Sequence, residues 1–232
     1  MVKGWLRLSI LVDFLSQSIQ FLYNITRTIG IPNYGLAIIL FTVLVKVILY
    51  PLTYRQLRSM RRMQELQPKV QELQKKYTGN PQKAQQAMME LYQKEGVNPL
   101  GGCLPLLIQM PILFALFSAL RNFFDPALNP AVDMAHANFF WVTNLGQPDP
   151  YILPVLVAIG TFFQQKVSMV SGGQDQTQKT MLYVMPLVIG WMSRNFSAGL
   201  SLYWVTFSLM GILEQWLIRR QPHLVKEDVS AK

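Results

Sequence analysis

Leu36-Ala37-Ile38-Ile39-Leu40-Phe41-Thr42-Val43-Leu44-Val45-Lys46-Val47-Ile48-Leu49-Tyr50-Pro51-Leu52 is an apolar run with one cation inside it, and its reading decides the fold. As a helix these residues reach about 25 Å at 1.5 Å per residue. That is close to the roughly 30 Å of a bilayer's hydrocarbon core, so the run reads as a transmembrane helix. A lysine near the centre of such a helix costs about 2.5–3.5 kcal/mol on insertion scales and faces protein or water rather than lipid. Thr42 lies one turn earlier on the same face. Lys46 either snorkels to the nearer headgroups along its apolar stem or serves as a functional charge in a wet cavity; the second reading is preferred.

Composition points the same way. The chain is 51% hydrophobic, with 14% charged residues against about 25% in soluble domains. Further apolar stretches run Leu104 to Leu120, Tyr151 to Phe163, Met181 to Met192 and Leu200 to Ile218. The expected architecture is all-α and polytopic, a single membrane domain of five transmembrane helices. The expected order is an N-terminal interfacial helix (1–30), a first span (31–54), a helical hairpin (55–98), a second span (99–121) and an outer loop (122–150). The third span (151–170), a short loop (171–178), the fourth and fifth spans (179–196 and 197–219) and a tail (220–232) follow. One cysteine, Cys103, supports neither a disulfide framework nor a metal cluster.

The net charge of +9 is unevenly spread. Residues 55–96 hold nine basic and four acidic side chains, whereas 122–150 have no Lys or Arg and three aspartates, Asp125, Asp133 and Asp149. The positive-inside rule puts the hairpin, the 171–178 loop and the tail in the cytoplasm, and the 122–150 loop outside. Arg194, Lys3, Arg7 and Arg27 run against this assignment. The distribution speaks for membrane topology, and no nucleic-acid site is expected.

In the N-terminal stretch Asp13, Gln17, Gln20, Asn24 and Arg27 recur at helical spacing opposite Leu8, Leu11, Leu15, Ile19 and Leu22, the pattern of a helix lying in the interface. A signal peptide is the rival reading, disfavoured because no small-x-small cleavage site follows an uninterrupted apolar core. Gly30 to Asn33 breaks it. In the hairpin Leu57, Met60, Met63, Leu66, Val70, Leu73 and Tyr77 form one stripe, Thr78-Gly79-Asn80-Pro81 a turn, and Ala84, Met88, Leu91 and Tyr92 face back. Pro68 is expected to interrupt the first arm. The stripe either holds the hairpin together or, through Met60, Met63, Met88 and Met89, gives an adaptable docking surface for apolar peptides or anionic lipid.

In the fifth span Ser201, Trp204, Ser208, Gly211 and Gln215 recur on one face. Such a stripe either permits close helix packing or lines a hydrated groove, and Lys46 tips the choice towards a groove. Gln109, Gln164 and Gln165 are candidates for the same surface. Glu214 is a candidate counter-charge for Lys46, but its late position in the helix counts against the pairing. His136 and His223 lie far apart, and there is no metalloprotease, nucleophile-elbow or P-loop motif. Neither an enzyme nor a cofactor is expected, and five spans without a visible inverted repeat suit an exchanging transporter poorly.

Several phrases carry a family resemblance: Thr42 and the cation one turn later, Tyr50-Pro51-Leu52-Thr53, Leu66-Gln67-Pro68, the run Val97-Asn98-Pro99-Leu100-Gly101-Gly102-Cys103-Leu104-Pro105 continuing through Gln109 to Pro111, and Ser197-Ala198-Gly199-Leu200-Ser201-Leu202-Tyr203-Trp204. From about Gly4 to Arg220 the chain resembles the YidC membrane protein insertases. The resemblance implies a five-helix core around a hydrophilic groove, open to cytoplasm and lipid and closed outside. A basic residue of the first core helix sits in that groove; in most relatives it is arginine, and the matching residue here is Lys46. Thr42 and Trp204 match groove-lining positions. The implied partners are nascent membrane proteins and membrane lipids, with the Sec translocon, the signal recognition particle pathway and the ribosome as further candidates. The short stretch from Gln221 to Lys232 implies weak tail-mediated ribosome binding. The implied location is the plasma membrane of a bacterium, with a cytoplasmic C-terminus. The rival from another class is a water-filled channel or small-solute pore.

Overall fold

The computed structural model describes residues 2–97, 104–130, 132–168 and 176–219, with only the backbone described at 2–9, 64, 104–109, 176–179 and 219. Most of the Asn-Pro-Leu-Gly-Gly-Cys run, the 171–175 connection and the tail therefore lie outside the described residues, as do the side chains of Gln109, Lys3 and Arg7. The described residues form seven α-helices: α1 (Val2–Thr28), α2 (Tyr34–Lys76), α3 (Pro81–Lys94), α4 (Leu104–Phe123), α5 (Ile152–Ser168), α6 (Gln176–Ser193) and α7 (Ala198–Arg219). A 3-10 turn, Met134–His136, and one isolated bridge, Phe139 to Val142, lie between α4 and α5.

The expected boundary at 54/55 between span and hairpin is absent. α2 runs unbroken for 43 residues through Pro51 and Pro68, about 65 Å of rise. Each proline removes one ladder bond, but the bonds on either side carry the helix past it. The chain enters α2 through Gly30 at φ +88, and the Asn33 side chain caps it by accepting from the Leu36 N–H at 3.1 Å. At the far end Asn80 accepts from the Lys83 N–H and Pro81 starts α3, as its fixed φ favours. Leu66 and Val70 of α2 and Ala84 of α3 are buried, and Gln74 reaches the Met88 sulfur. The stripe thus holds the hairpin together, while Met89 stays exposed.

α7 is the hub. It packs on α5 and α2 and more lightly on α4; α5 also packs on α6, and α1 on α2 and α4. The buried apolar core lies at the end of the bundle away from the hairpin. There Tyr34, Ile38, Leu116, Leu120, Leu145 and Leu200 are almost wholly buried. The 124–151 loop contributes to this cluster: Ala137, Val142 and Leu145 point into it. Its backbone is tied to the α7 start by Ala198 N–H to Gln147 O and Gly199 N–H to Leu145 O, both 2.8 Å. Asp149 fixes the loop's exit, accepting from the Trp141 ring N–H and from the Tyr151, Ile152 and Leu153 N–H groups that open α5. Burial pushes its carboxyl up, but these donors outweigh it and hold it below the ordinary aspartate value.

The outward faces are apolar. Leu40, Leu44, Val47 and Ile48 on α2, Leu187 and Trp191 on α6, and Leu209 and Leu213 on α7 are all exposed. A soluble protein does not expose so continuous a surface. By length and composition the Tyr34–Met63 part of α2 is long and apolar enough to cross a membrane, and Met110–Phe123, Ile152–Ser168 and Thr180–Ser193 are shorter apolar helices. α1 shows three faces: Leu15, Ile19 and Tyr23 are buried, Ile10, Phe14 and Phe21 are exposed, and Asp13, Gln17 and Asn24 form a polar edge.

Gly190 lets α6 approach α5 closely, because a Cβ there would lie 2.7 Å from Ala158 Cβ and 2.9 Å from the Pro154 carbonyl oxygen. Gly190→Val is expected to cost about 1–3 kcal/mol by overpacking. Thermal unfolding of the purified protein in detergent measures this; an unchanged midpoint would mean the two helices do not meet at Gly190.

Candidate functional site

Lys46 and Glu214 meet inside the bundle. Lys46 Nζ donates to Glu214 Oε2 at 3.0 Å, with the two side chains only 6% and 7% exposed. The Phe207 ring lies on another side of the ammonium, its centroid 3.9 Å from Nζ, so the cation is held by a carboxylate and a π face together. Geometry overrules the expectation that Glu214 lies too late in its helix to pair. Glu214 stands about one turn further into α7 than Lys46 stands into α2, roughly 6 Å of rise. The long lysine stem covers that offset. Lys46 is therefore neither a snorkelling cation nor an unpaired one.

Thr42 is fully buried one turn away, and its hydroxyl donates to the Ile38 carbonyl of its own helix at 2.7 Å. That local bond satisfies the group inside α2. The stripe of α7 also departs from expectation. Ser201, Ser208 and Gln215 are buried rather than open to water, and Trp204 is half-buried. Trp204 Nε1 donates to Thr161 Oγ1 of α5 at 3.1 Å, and Gln215 Nε2 donates to Ser168 Oγ. Gly211 makes room for Gln164, whose Nε2 would be 2.6 Å from an added Cβ, and Gly160 makes room for Ser208. Small residues allow the helices to approach, and polar groups bond across the contact. The physical reason is a partition of α7. One face turns to α5 and the adjacent one, with Phe207 and Glu214, to α2.

A small cleft of about 30 Å³ opens at the hairpin end of this contact, lined by Leu57, Met60, Arg61, Val167, Ser168, Gln215 and Ile218. It brings together two residues singled out separately from the sequence, Met60 and Gln215. Met63 and Met88 are half-buried in the hairpin and do not line this cleft. Sequence reasoning missed Thr161, Ser168 and Phe207. It also set aside an available signal: Glu214 is the one acidic residue in any of the five expected spans, so a buried lysine had no other intramembrane counter-ion to find.

A helical membrane bundle with, among the described residues, one buried cross-helix ion pair narrows the class of protein, and comparison with known proteins supplies the family. Residues 24–226 match the family model described as 60Kd inner membrane protein. A relative from Fusobacterium nucleatum, named membrane protein insertase YidC, is 42% identical over 92% of this chain and 99% of its own length. One from Geobacter sulfurreducens with the same name is 41% identical over 94% of this chain, which spans 38% of that protein's length. A crystal structure titled as an active YidC insertase with its first transmembrane domain resolved superposes with a TM-score of 0.68 at 28% identity, covering 88% of this chain and 45% of that one. The chain belongs to the YidC family of membrane protein insertases.

Removing one partner of a buried ion pair strands the other, at a cost of about 3–5 kcal/mol, whereas replacing both by apolar residues is often neutral. Lys46→Met alone and Glu214→Leu alone are therefore expected to destabilise the protein, and the double variant to recover most of the loss. Thermal unfolding of the three variants in detergent tests this, and additive losses would deny the coupling.

Proposed function

We propose that this chain inserts small membrane proteins into a bacterial plasma membrane and assists their folding. The observation that carries the reading is the position of Lys46: a buried cation on the most apolar stretch of the chain, between a tightly packed loop end and a cleft at the hairpin end. In this reading the first part of α2, with α4, α5, α6 and α7, makes five spans. α1 lies in the outer interface, and the hairpin, the cleft and the C-terminus face the cytoplasm, in keeping with the basic excess of 55–96. The cluster around Tyr34, Ile38, Leu145 and Leu200 closes the outer end, which argues against the rival pore.

The working surface is Lys46, Thr42, Trp204, Ser201, Ser208 and Gln215, with Gln164 at its margin; Gln109 stays a candidate from the sequence alone. Because much of the stripe is buried against α5 while Lys46 is buried between α2 and α7, the groove of this reading opens when α7 parts from both α2 and α5, and its polar groups then face the incoming segment. A cation inside the apolar layer lowers the barrier for acidic residues of that segment. The substrate's own helix then partitions into lipid, where burying some 20 apolar residues supplies the drive. The hairpin, with Met60, Met63, Met88 and Met89, captures nascent substrate and contacts anionic lipid. The Sec translocon, the signal recognition particle pathway and the ribosome are candidate upstream partners.

Lys46→Arg is expected to keep insertion of a single-span substrate, and Lys46→Glu, which places two carboxylates together, to abolish it. Protease protection of substrate in proteoliposomes measures both; full activity of the Glu variant would end the role of attraction. Deleting residues 64–89 should leave a folded membrane bundle that crosslinks nascent substrate poorly, and unimpaired crosslinking would return the hairpin to a structural role.

A further inference from the structure

We propose that Glu214 occupies, from within the chain, the position that an acidic residue of a substrate must take, and so sets how much acidic charge a segment needs to be accepted. The inference rests on the insertase reading above and adds to it a residue that determines specificity. Its basis is geometric. The charge that would attract a substrate already holds a carboxylate at 3.0 Å in a nearly closed site, and Phe207 covers a second approach to the same ammonium. An ammonium has three donors, one of which is used by Glu214.

An incoming carboxylate therefore meets a neutral pair rather than a bare cation. Taking Glu214's place exchanges one carboxylate for another, leaving the number of buried charges unchanged. Adding a carboxylate without exchange would bury a net negative charge, which is far more costly. The released Glu214 has somewhere to go. The cleft lined by Arg61, Ser168, Gln215 and Ile218 begins within a turn of it on α7, offering a cation and polar groups at the aqueous end. The exchange is a competition with a tethered rival. Glu214 is always present at high effective concentration, so a segment with one acid competes poorly and a segment with several competes well. Gln215, next in sequence, is held by Ser168 on α5, which fixes α7 while the Glu214 side chain swings.

The experiment compares wild-type protein, Glu214→Gln and Glu214→Asp in proteoliposomes, using a single-span test protein with zero, one or three aspartates in its translocated segment. Thermal unfolding in detergent serves as the control for folding. Wild type should insert the three-acid substrate about tenfold better than the one-acid substrate, the scale of a single charge-assisted hydrogen bond. Glu214→Gln removes the rival charge and should raise one-acid insertion about tenfold, bringing the two substrates within about twofold of each other. Glu214→Asp, a methylene shorter, should fall between. A folded Gln variant with unchanged discrimination would overturn the proposal and leave Glu214 a structural partner. If the Gln variant does not fold, Glu214→Asp decides in the same way, and failure of both to fold would also reduce the pair to a structural role. Equal insertion of zero- and three-acid substrates by wild type would instead strike at the electrostatic reading of Lys46 itself.

Discussion

A lysine and a glutamate that cannot be left alone in an apolar bundle constrain everything around them. Each would be several kcal/mol out of place without the other, so α2 and α7 must lie side by side in the one register that brings Nζ to Oε2. Once that register is fixed, α7 has a face committed to α2. Its neighbouring face, rich in small and hydroxyl-bearing residues, is left for α5, and its apolar back, with Leu209 and Leu213, turns outward. The three-way partition of this helix accounts for its packing against α2 and α5.

The two ends of the bundle differ in kind because they are packed with different material. Near the start of α2 and α7 the contacts are aromatic and aliphatic, with Tyr34 stacked on Tyr23 at 3.9 Å between centroids and edge-on to Phe123 and Phe124. A folded loop adds its own side chains and two backbone hydrogen bonds to α7. Near the hairpin the contacts are polar or mixed, and the packing leaves a cleft. A bundle that is dry and interlocked at one end and polar at the other separates more readily at the polar end, because fewer dispersion contacts are lost there. This asymmetry is what the proposed opening towards the hairpin side rests on.

The helical, membrane-like character was legible because one property, apolar length, decides it, and the breaks at Gly30–Asn33 and Thr78–Pro81 were legible from the residues that make turns and caps. The continuity of α2 was not. Polarity changes abruptly after Tyr54, and a change of solvent looks in sequence like a change of element, although the backbone ladder is indifferent to it. Ser201, Ser208 and Gln215 show a second limit. A polar stripe has the same period whether it faces water or another helix, and only Gly160 and Gly211, with Thr161 and Ser168 opposite, reveal which. Glu214 was misjudged because residues were counted from each helix end as if the ends were level and the lysine had no reach.

The uninterrupted α2 makes the hairpin and the buried cation parts of one lever. Lys46 stands about 18 Å from the anchored end at Tyr34 and about 45 Å from the far end at Lys76. With the pivot at Tyr34, a sideways push at the far end is therefore felt at Lys46 at about three-tenths of its amplitude, with correspondingly greater force. Pro51 leaves the Val47 carbonyl without its ladder donor, so one of the rod's two proline-softened points lies immediately past the cation. Whatever loads the hairpin from the aqueous side delivers its torque beside the buried ion pair that joins α2 to α7.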